Sequence, residues 1–176
     1  MVRLFIGVMI PEKILPKILD IQEKLGKFLP NAKFVEPENL HISLLFIGDV
    51  SEDQLPFIKE KLDSVCNNYS SLDVLVDRIS LIPNENFTRV IALNIVSGDL
   101  ELLRYDISKT IHGSSYPSHI TLCRLKHDES NDVKSASNSR FDQIKFGIDR
   151  IFLMESFLQK TGAVYKTLHA SFLKRL

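Results

Sequence analysis

Tryptophan is absent from this 176-residue chain, cysteine occurs twice and glycine seven times. Cys66 and Cys123 stand 57 residues apart in no metal-ligand spacing. They exclude a disulfide scaffold and fit a reducing compartment, so a cytoplasmic location is expected. The glycines are dispersed, and neither GxGxxG nor GxxxxGK[ST] occurs, which removes the dinucleotide and P-loop readings. The opening MVRLFIGVMIPEK holds an apolar run of seven residues after Arg3, stopped by Pro11. That is too short for a membrane span and lacks a signal-peptide cleavage site. Charge of one sign is also missing, since 22 Lys and Arg balance 22 Asp and Glu. Coating of long nucleic acid is therefore excluded as the main business, while a small or terminal nucleic-acid substrate stays open.

What is present suits a packed core: 44% apolar and 25% charged residues are ordinary for one soluble domain, read as spanning 1–176. Residues 3–10 read as a buried strand. Ile14, Ile18, Ile21, Leu25 and Leu29 recur at helical spacing within 12–29, with Pro16 in the first turn. A turn at Pro37 and Asn39 leads into a strand over 40–47, closed by Gly48 and Asp49. Ser51 and Gln54 form a capping-box pattern ahead of a helix carrying Leu55, Ile58, Leu62 and Val65, with Pro56 near its start. Two β-rich runs, 72–82 and 87–96, flank the turn PNEN as a hairpin. Leu100, Leu103 and Ile107 predict a helix over 98–111, and 118–125 a further strand. Residues 126–140 read as a loop of functional length. Strands 141–158 and 164–173, joined across QKTG, close the chain. The sum is an α+β protein, ordered β-α-β-α-β-β-α-β-β-β, with helices on antiparallel-rich sheet.

The chemistry is sought among five histidines, four of which have Ser or Thr two residues later where chance would give less than one. His112 precedes Gly113, Ser114 and Ser115, a turn composition that leaves its ring without a fixed direction. His127 opens the long stretch and reads as solvated. His169, in TLHASFL, reads as a peripheral strand residue. His41 and His119 differ from these, because they sit in matched apolar frames, LHISLL and SHITLC. Strand residues two apart share a face at about 6.5 to 7 Å, so each frame projects an imidazole beside a hydroxyl. Their separation of 78 residues, near half the chain, suggests two related halves around one cleft. Two imidazoles can accept and donate protons near neutral pH, while Ser43 and Thr121 can hold non-bridging phosphate oxygens. That combination suits phosphodiester cleavage without a metal or cofactor.

The chain resembles the two-histidine (2H) phosphoesterase superfamily, and within it the RNA 2′,3′-cyclic phosphodiesterases also called 2′-5′ RNA ligases. The resemblance rests on RLFIGVMIP, PENLHISLLFIGDV, FTRVIALNI, YPSHITLCRLK and FLMESFLQKTGAVYKTLHASFLKRL, which occur in family order across nearly the whole chain. It implies a bilobal fold of two pseudo-symmetric lobes with a central groove. It further implies His41 and His119 as acid and base, leaning to His41 as the acid, with Ser43 and Thr121 on the phosphate. The activity implied is hydrolysis of a terminal cyclic phosphate to a 2′-phosphomonoester, with 2′-5′ joining as the reverse activity.

Phe46 and Arg124, each five residues after its histidine, stand where relatives contact the nucleotide; strict alternation points them away, so a bulge or strand end is required. Tyr116 is a further candidate stacking surface. Arg89 has an arginine counterpart in many relatives. Leu45 replaces a lysine common in relatives and removes one positive charge. A monomer acting on RNA ends or small nucleotides is expected, with no membrane association. Small cyclic nucleotides or 2′-5′ oligonucleotides as substrates, and a non-catalytic RNA-end binding module, are the rival readings.

Overall fold

A computed structural model describes residues 1–125, 130–159 and 162–175. The opening apolar run forms β1, Val2–Met9, whose middle is buried because both flanks of this strand are paired. Helix α1, Leu15–Gly26, begins with Pro16 in its first turn, where a missing N–H costs nothing, and buries Ile18, Ile21 and Leu25. It is shorter at both ends than its apolar spacing predicts. The short β2, Lys33–Phe34, precedes a single tight turn at Pro37–Asn39 and β3, His41–Val50. Gly48 does not end β3; it adopts a φ of +89°, which glycine tolerates, and the strand continues past it.

The expected capping box does not form. Ser51 turns its hydroxyl to the Asp53 carboxylate, and Glu52–Gln54 make a tight turn before α2, Leu55–Cys66, opens with Pro56 in its first turn. The hairpin over PNEN is β4, Leu72–Asn84, against β5, Phe87–Val96. Ser97 accepts a hydrogen bond from the Leu100 amide and caps α3, Gly98–Thr110. Strand β6 is His119–Arg124. Within the stretch read as a loop, Ser130–Ser137 form helix α4, which buries Val133 and Ala136. His127 and the rest of 126–129 lie outside the described residues, as do two residues of QKTG.

The segment read as one strand over 141–158 divides in two. Ile144, Phe146 and Ile148 alternate inward as β7, Ile144–Ile148, which pairs with β4. After Asp149 the chain leaves for the opposite side as β8, Arg150–Gln159, which pairs with β1 and with β9, Gly162–Phe172.

All strand pairs are antiparallel, in one sheet ordered β7-β4-β5-β6-β3-β1-β8-β9, with β2 added to β6. Read outward from its middle, the sheet has two mirrored arms, β3-β1-β8-β9 and β6-β5-β4-β7. The arms are the two lobes expected from the paired motifs. They are joined at a seam where β3 and β6 pair only at Ile42 and Ile120. Both isoleucines are fully buried, and burial of such a side chain is worth about 1.5 to 3 kcal/mol. Helix α2 packs on β8, β9 and α3, while α3 also reaches β3 and β4. A side-chain bond from Gln22 to the Leu122 carbonyl ties α1 to the β6 arm.

Candidate active site

The seam decides what faces what. With Ile42 opposite Ile120 and both turned into the core, strand alternation puts His41, Ser43, His119 and Thr121 on the other face. Continuing the antiparallel register sets His41 across from Thr121 and Ser43 across from His119, so the two His-hydroxyl pairs are crossed. Gly7 makes room for this. It pairs with Ser43 in β1, and a Cβ there would stand 2.6 Å from the Ile42 carbonyl oxygen.

Each motif strand then carries a bulge at the same place. In β3 the register with β1 steps from Ser43↔Gly7 to Leu45↔Ile6, leaving Leu44 unpaired. In β6 the register with β5 steps from Thr121↔Ala92 to Cys123↔Ile91, leaving Leu122 unpaired. A single extra residue resets the alternation, so two consecutive side chains turn inward, Leu44 and Leu45 in one strand and Leu122 and Cys123 in the other. Phe46 and Arg124 consequently return to the face of the histidines, resolving the parity conflict in the sequence. The bulge carbonyls are satisfied from outside the strands: Ser115 donates to the Leu44 oxygen at 2.7 Å, and Gln22 Nε2 to the Leu122 oxygen at 2.9 Å.

The two imidazoles are oriented by one device used twice. His41 Nδ1 lies 2.7 Å from the carbonyl of Asn39, and His119 Nδ1 lies 2.8 Å from the carbonyl of Pro117. A carbonyl only accepts, so Nδ1 carries the proton in both rings and Nε2 is the nitrogen left for chemistry. At His41, Nε2 is 2.8 Å from Ser43 Oγ, which donates to it when the ring is neutral. Burial holds His41 below its ordinary value of 6.5, the nearby positive charges of His119 and Arg124 push the same way, and the Asn39 carbonyl opposes them. Phe5 and Tyr165 pack on the ring at centroid distances of 4.9 and 5.2 Å.

A groove of about 560 Å³ opens on this face, and His41, Ser43, Leu45, Phe46, Thr121 and Arg124 line it. His119 is partly exposed on the same face beside the groove, near enough for its charge to act on His41. Tyr116 is 68% exposed and is not part of the lining. Arg89 lies in the hairpin with its guanidinium over Phe87. His169 is held elsewhere, its Nε2 2.8 Å from Asp63 Oδ1, which also accepts from Ser171. His112 is exposed just beyond α3. Leu45 is buried at the bulge, and the groove draws positive charge from Lys33 and Arg124, adjacent across β2 and β6. Sequence reasoning missed Lys33, Asn39, Phe5 and Tyr165, all in the lining. Tyr165 had no local signal, whereas the carbonyl two residues before each histidine is a repeated relation. Among the described residues no cluster of three or more His, Cys, Asp or Glu could hold a metal ion.

This fold and face define a class of bilobal phosphoesterases. A Thermus thermophilus structure superposes with a TM-score of 0.82 at 23% identity, each chain covered to 98%. Escherichia coli LigT complexed with 3′-AMP superposes at 0.78 and 20% identity, again over 98% of each chain. The family model for LigT-like phosphoesterases matches residues 8–92. A Thermotoga maritima protein named RNA 2′,3′-cyclic phosphodiesterase is 30% identical, covering 95% of this chain and 93% of its own length. A protein of the same name from Archaeoglobus fulgidus is 28% identical over 94% and 97%. The chain belongs to the LigT-like family of 2H phosphoesterases and is a hydrolase of that kind.

Proposed function

We propose that this protein hydrolyses a terminal 2′,3′-cyclic phosphate of RNA to a 2′-phosphomonoester, with His41 and His119 as acid and base. The observation that carries this reading is the crossed arrangement of the motifs, in which both rings keep Nδ1 on a carbonyl and leave Nε2 to act. His119 Nε2 takes a proton from water as the water oxygen bonds to phosphorus. His41 Nε2 gives a proton to the 3′ oxygen as its bond to phosphorus breaks. Ser43 and Thr121 donate to the non-bridging oxygens, whose charge grows in the transition state. Burial and neighbouring cations favour neutral His41 in the empty groove, and a phosphodiester anion offsets those cations, so the proton is taken up with the substrate. Phe46 and Arg124 meet the nucleotide, and Tyr165 extends that surface. Two histidines perform both proton transfers without a metal.

We read the protein as acting as a monomer. Cys66 and Cys123 are buried and form no disulfide, in keeping with a cytoplasmic enzyme. Joining of RNA ends through a 2′-5′ bond uses the same groups with a 5′ hydroxyl in place of water, and hydrolysis dominates in water. The groove's modest volume and few cations favour a small nucleotide end as the recognised unit.

The test is hydrolysis of an RNA ending in a 2′,3′-cyclic phosphate with EDTA present, followed by assignment of the phosphate in the product. His41→Ala and His119→Ala are each expected to lose about 10² to 10⁴ in rate. A 3′-phosphate product, or turnover indifferent to both substitutions, would overturn the scheme. Equal turnover of a nucleoside 2′,3′-cyclic phosphate and a longer RNA end would mark the small-nucleotide reading as the better one.

A further inference from the structure

The two motif strands are joined in the sheet only through Ile42 and Ile120, yet the chemistry needs their rings at a fixed separation. A second connection runs behind them through helix α3. Glu101 Oε1 accepts the backbone N–H of Ser118, the residue before His119, at 2.9 Å. Its other oxygen takes Arg104 Nε at 2.8 Å and Nη2 at 2.7 Å. Arg104 Nη1 continues to Ser115 Oγ at 2.6 Å, and Ser115 donates to the carbonyl of Leu44, the bulge residue after Ser43, at 2.7 Å. An unbroken chain of hydrogen bonds thus links the backbone of one motif to the backbone of the other.

The elements of this chain are held in place. Arg104 and Glu101 sit one turn apart on α3, with the Arg104 side chain 18% and the Glu101 side chain 37% exposed, so the pair is partly shielded from water. Burial alone would raise the Glu101 carboxyl, but the bonds from Ser118 and Arg104 outweigh it and keep the group charged. Ser114 pairs with Phe46 through two backbone bonds of 2.8 Å, which seats Ser115 against β3. The adjacent Gly113 is required by contact, since a Cβ there would lie 2.6 Å from the Phe46 carbonyl oxygen. Arg104 supplies the fork that this path needs, because one planar group reaches Glu101 and Ser115 at once. A lysine offers a single nitrogen and cannot span both in the same geometry.

We infer that Glu101, Arg104 and Ser115 form a clamp that sets the distance and mutual orientation of the two motifs, and that they act as positioning residues for the reaction. None of them lines the groove, so the clamp acts through backbone rather than on substrate. The inference rests on the phosphodiesterase reading only for its link to turnover. A displacement of about 1 Å in a reacting group costs on the order of 10²-fold in rate without a matching loss of affinity.

The experiment compares Arg104→Lys, Ser115→Ala and Ser115→Thr with the wild type in the full chain, by two readouts. The first is steady-state hydrolysis of an RNA 2′,3′-cyclic phosphate end. We expect Arg104→Lys and Ser115→Ala to lower kcat by about 10-fold to 10²-fold with KM nearly unchanged, and Ser115→Thr to restore kcat through its hydroxyl. The second is the titration of His41 and His119 followed by imidazole nitrogen resonances, which needs no substrate. In the wild type the charge of His119 lowers the His41 value, and this influence is expected to weaken in Arg104→Lys and Ser115→Ala. Folded variants with wild-type kcat and unchanged titrations would overturn the clamp, as would losses that follow the fall in Tm and are not rescued by threonine. A wild type that fails to hydrolyse the substrate would refute the phosphodiesterase reading, and the titrations alone would then decide the clamp.

Discussion

The β3 and β6 motifs share a backbone and differ in what surrounds it. Each presents histidine, then a hydroxyl two residues on, then a bulge, then a groove-facing residue, and each ties Nδ1 to the carbonyl two residues before. His41, however, is packed against Phe5 and Tyr165, whose rings also touch each other, whereas His119 pairs with Asn94 of β5, whose amide is turned to Asp77. The apolar contacts around His41 disfavour its charged form. Near-identical local sequences are thereby given different surroundings, and the difference is made by the neighbours.

The largest test of this comparison uses the leaving group. With a 4-nitrophenyl phosphodiester, whose departing oxygen needs no proton, His41→Ala is expected to recover most of its loss of about 10² to 10⁴, while His119→Ala stays impaired. Recovery by His119→Ala instead would reverse the acid and base roles. Next is the charge on the rim. Arg124→Gln should raise KM for a nucleotide phosphate about tenfold, because one charge-assisted bond is lost, and should let the His41 titration move up. A smaller effect is expected from Tyr165→Ala. Opening the cage removes desolvation, so the kcat/KM limb that lies below 6.5 in the wild type should move up toward that value. An unmoved limb would mean that the cage does not set the asymmetry.

The smallest effect sharpens the contrast with a third site, His169, which has the same spacing to Ser171. Here imidazole and hydroxyl converge on Asp63 rather than on a groove. His169→Ala should leave turnover intact and cost about 1 kcal/mol of stability by thermal unfolding. Burial would raise the Asp63 carboxyl, but bonds from Ser171 and His169 hold it below its ordinary 3.8. That contribution is therefore full above 3.8 and lost as pH falls through the depressed value, so the gap between variant and wild type should close in acid.

Much of this was legible beforehand. Apolar spacing located α1, α2 and α3, and the paired His-x-Ser and His-x-Thr frames named the side chains that meet at the seam. The α4 helix was hidden because its serine and asparagine content reads as loop, whereas the burial of Val133 and Ala136 anchors it to the sheet. Strand 141–158 appeared continuous because nothing local in β-rich sequence marks a change of sheet neighbour at Asp149. The missed groove residues Phe5, Lys33 and Tyr165 reach His41 and Arg124 from strands far away in the chain.

By itself, the sequence determined which chemical groups exist and with what spacing, because two-residue alternation is a property of any extended backbone. Only the tertiary structure decided the crossed register, the two bulges that return Phe46 and Arg124 to the groove, and the clamp from Glu101 to Leu44. Those depend on which strand lies beside which, and that is settled by the burial of the whole sheet rather than by any one segment.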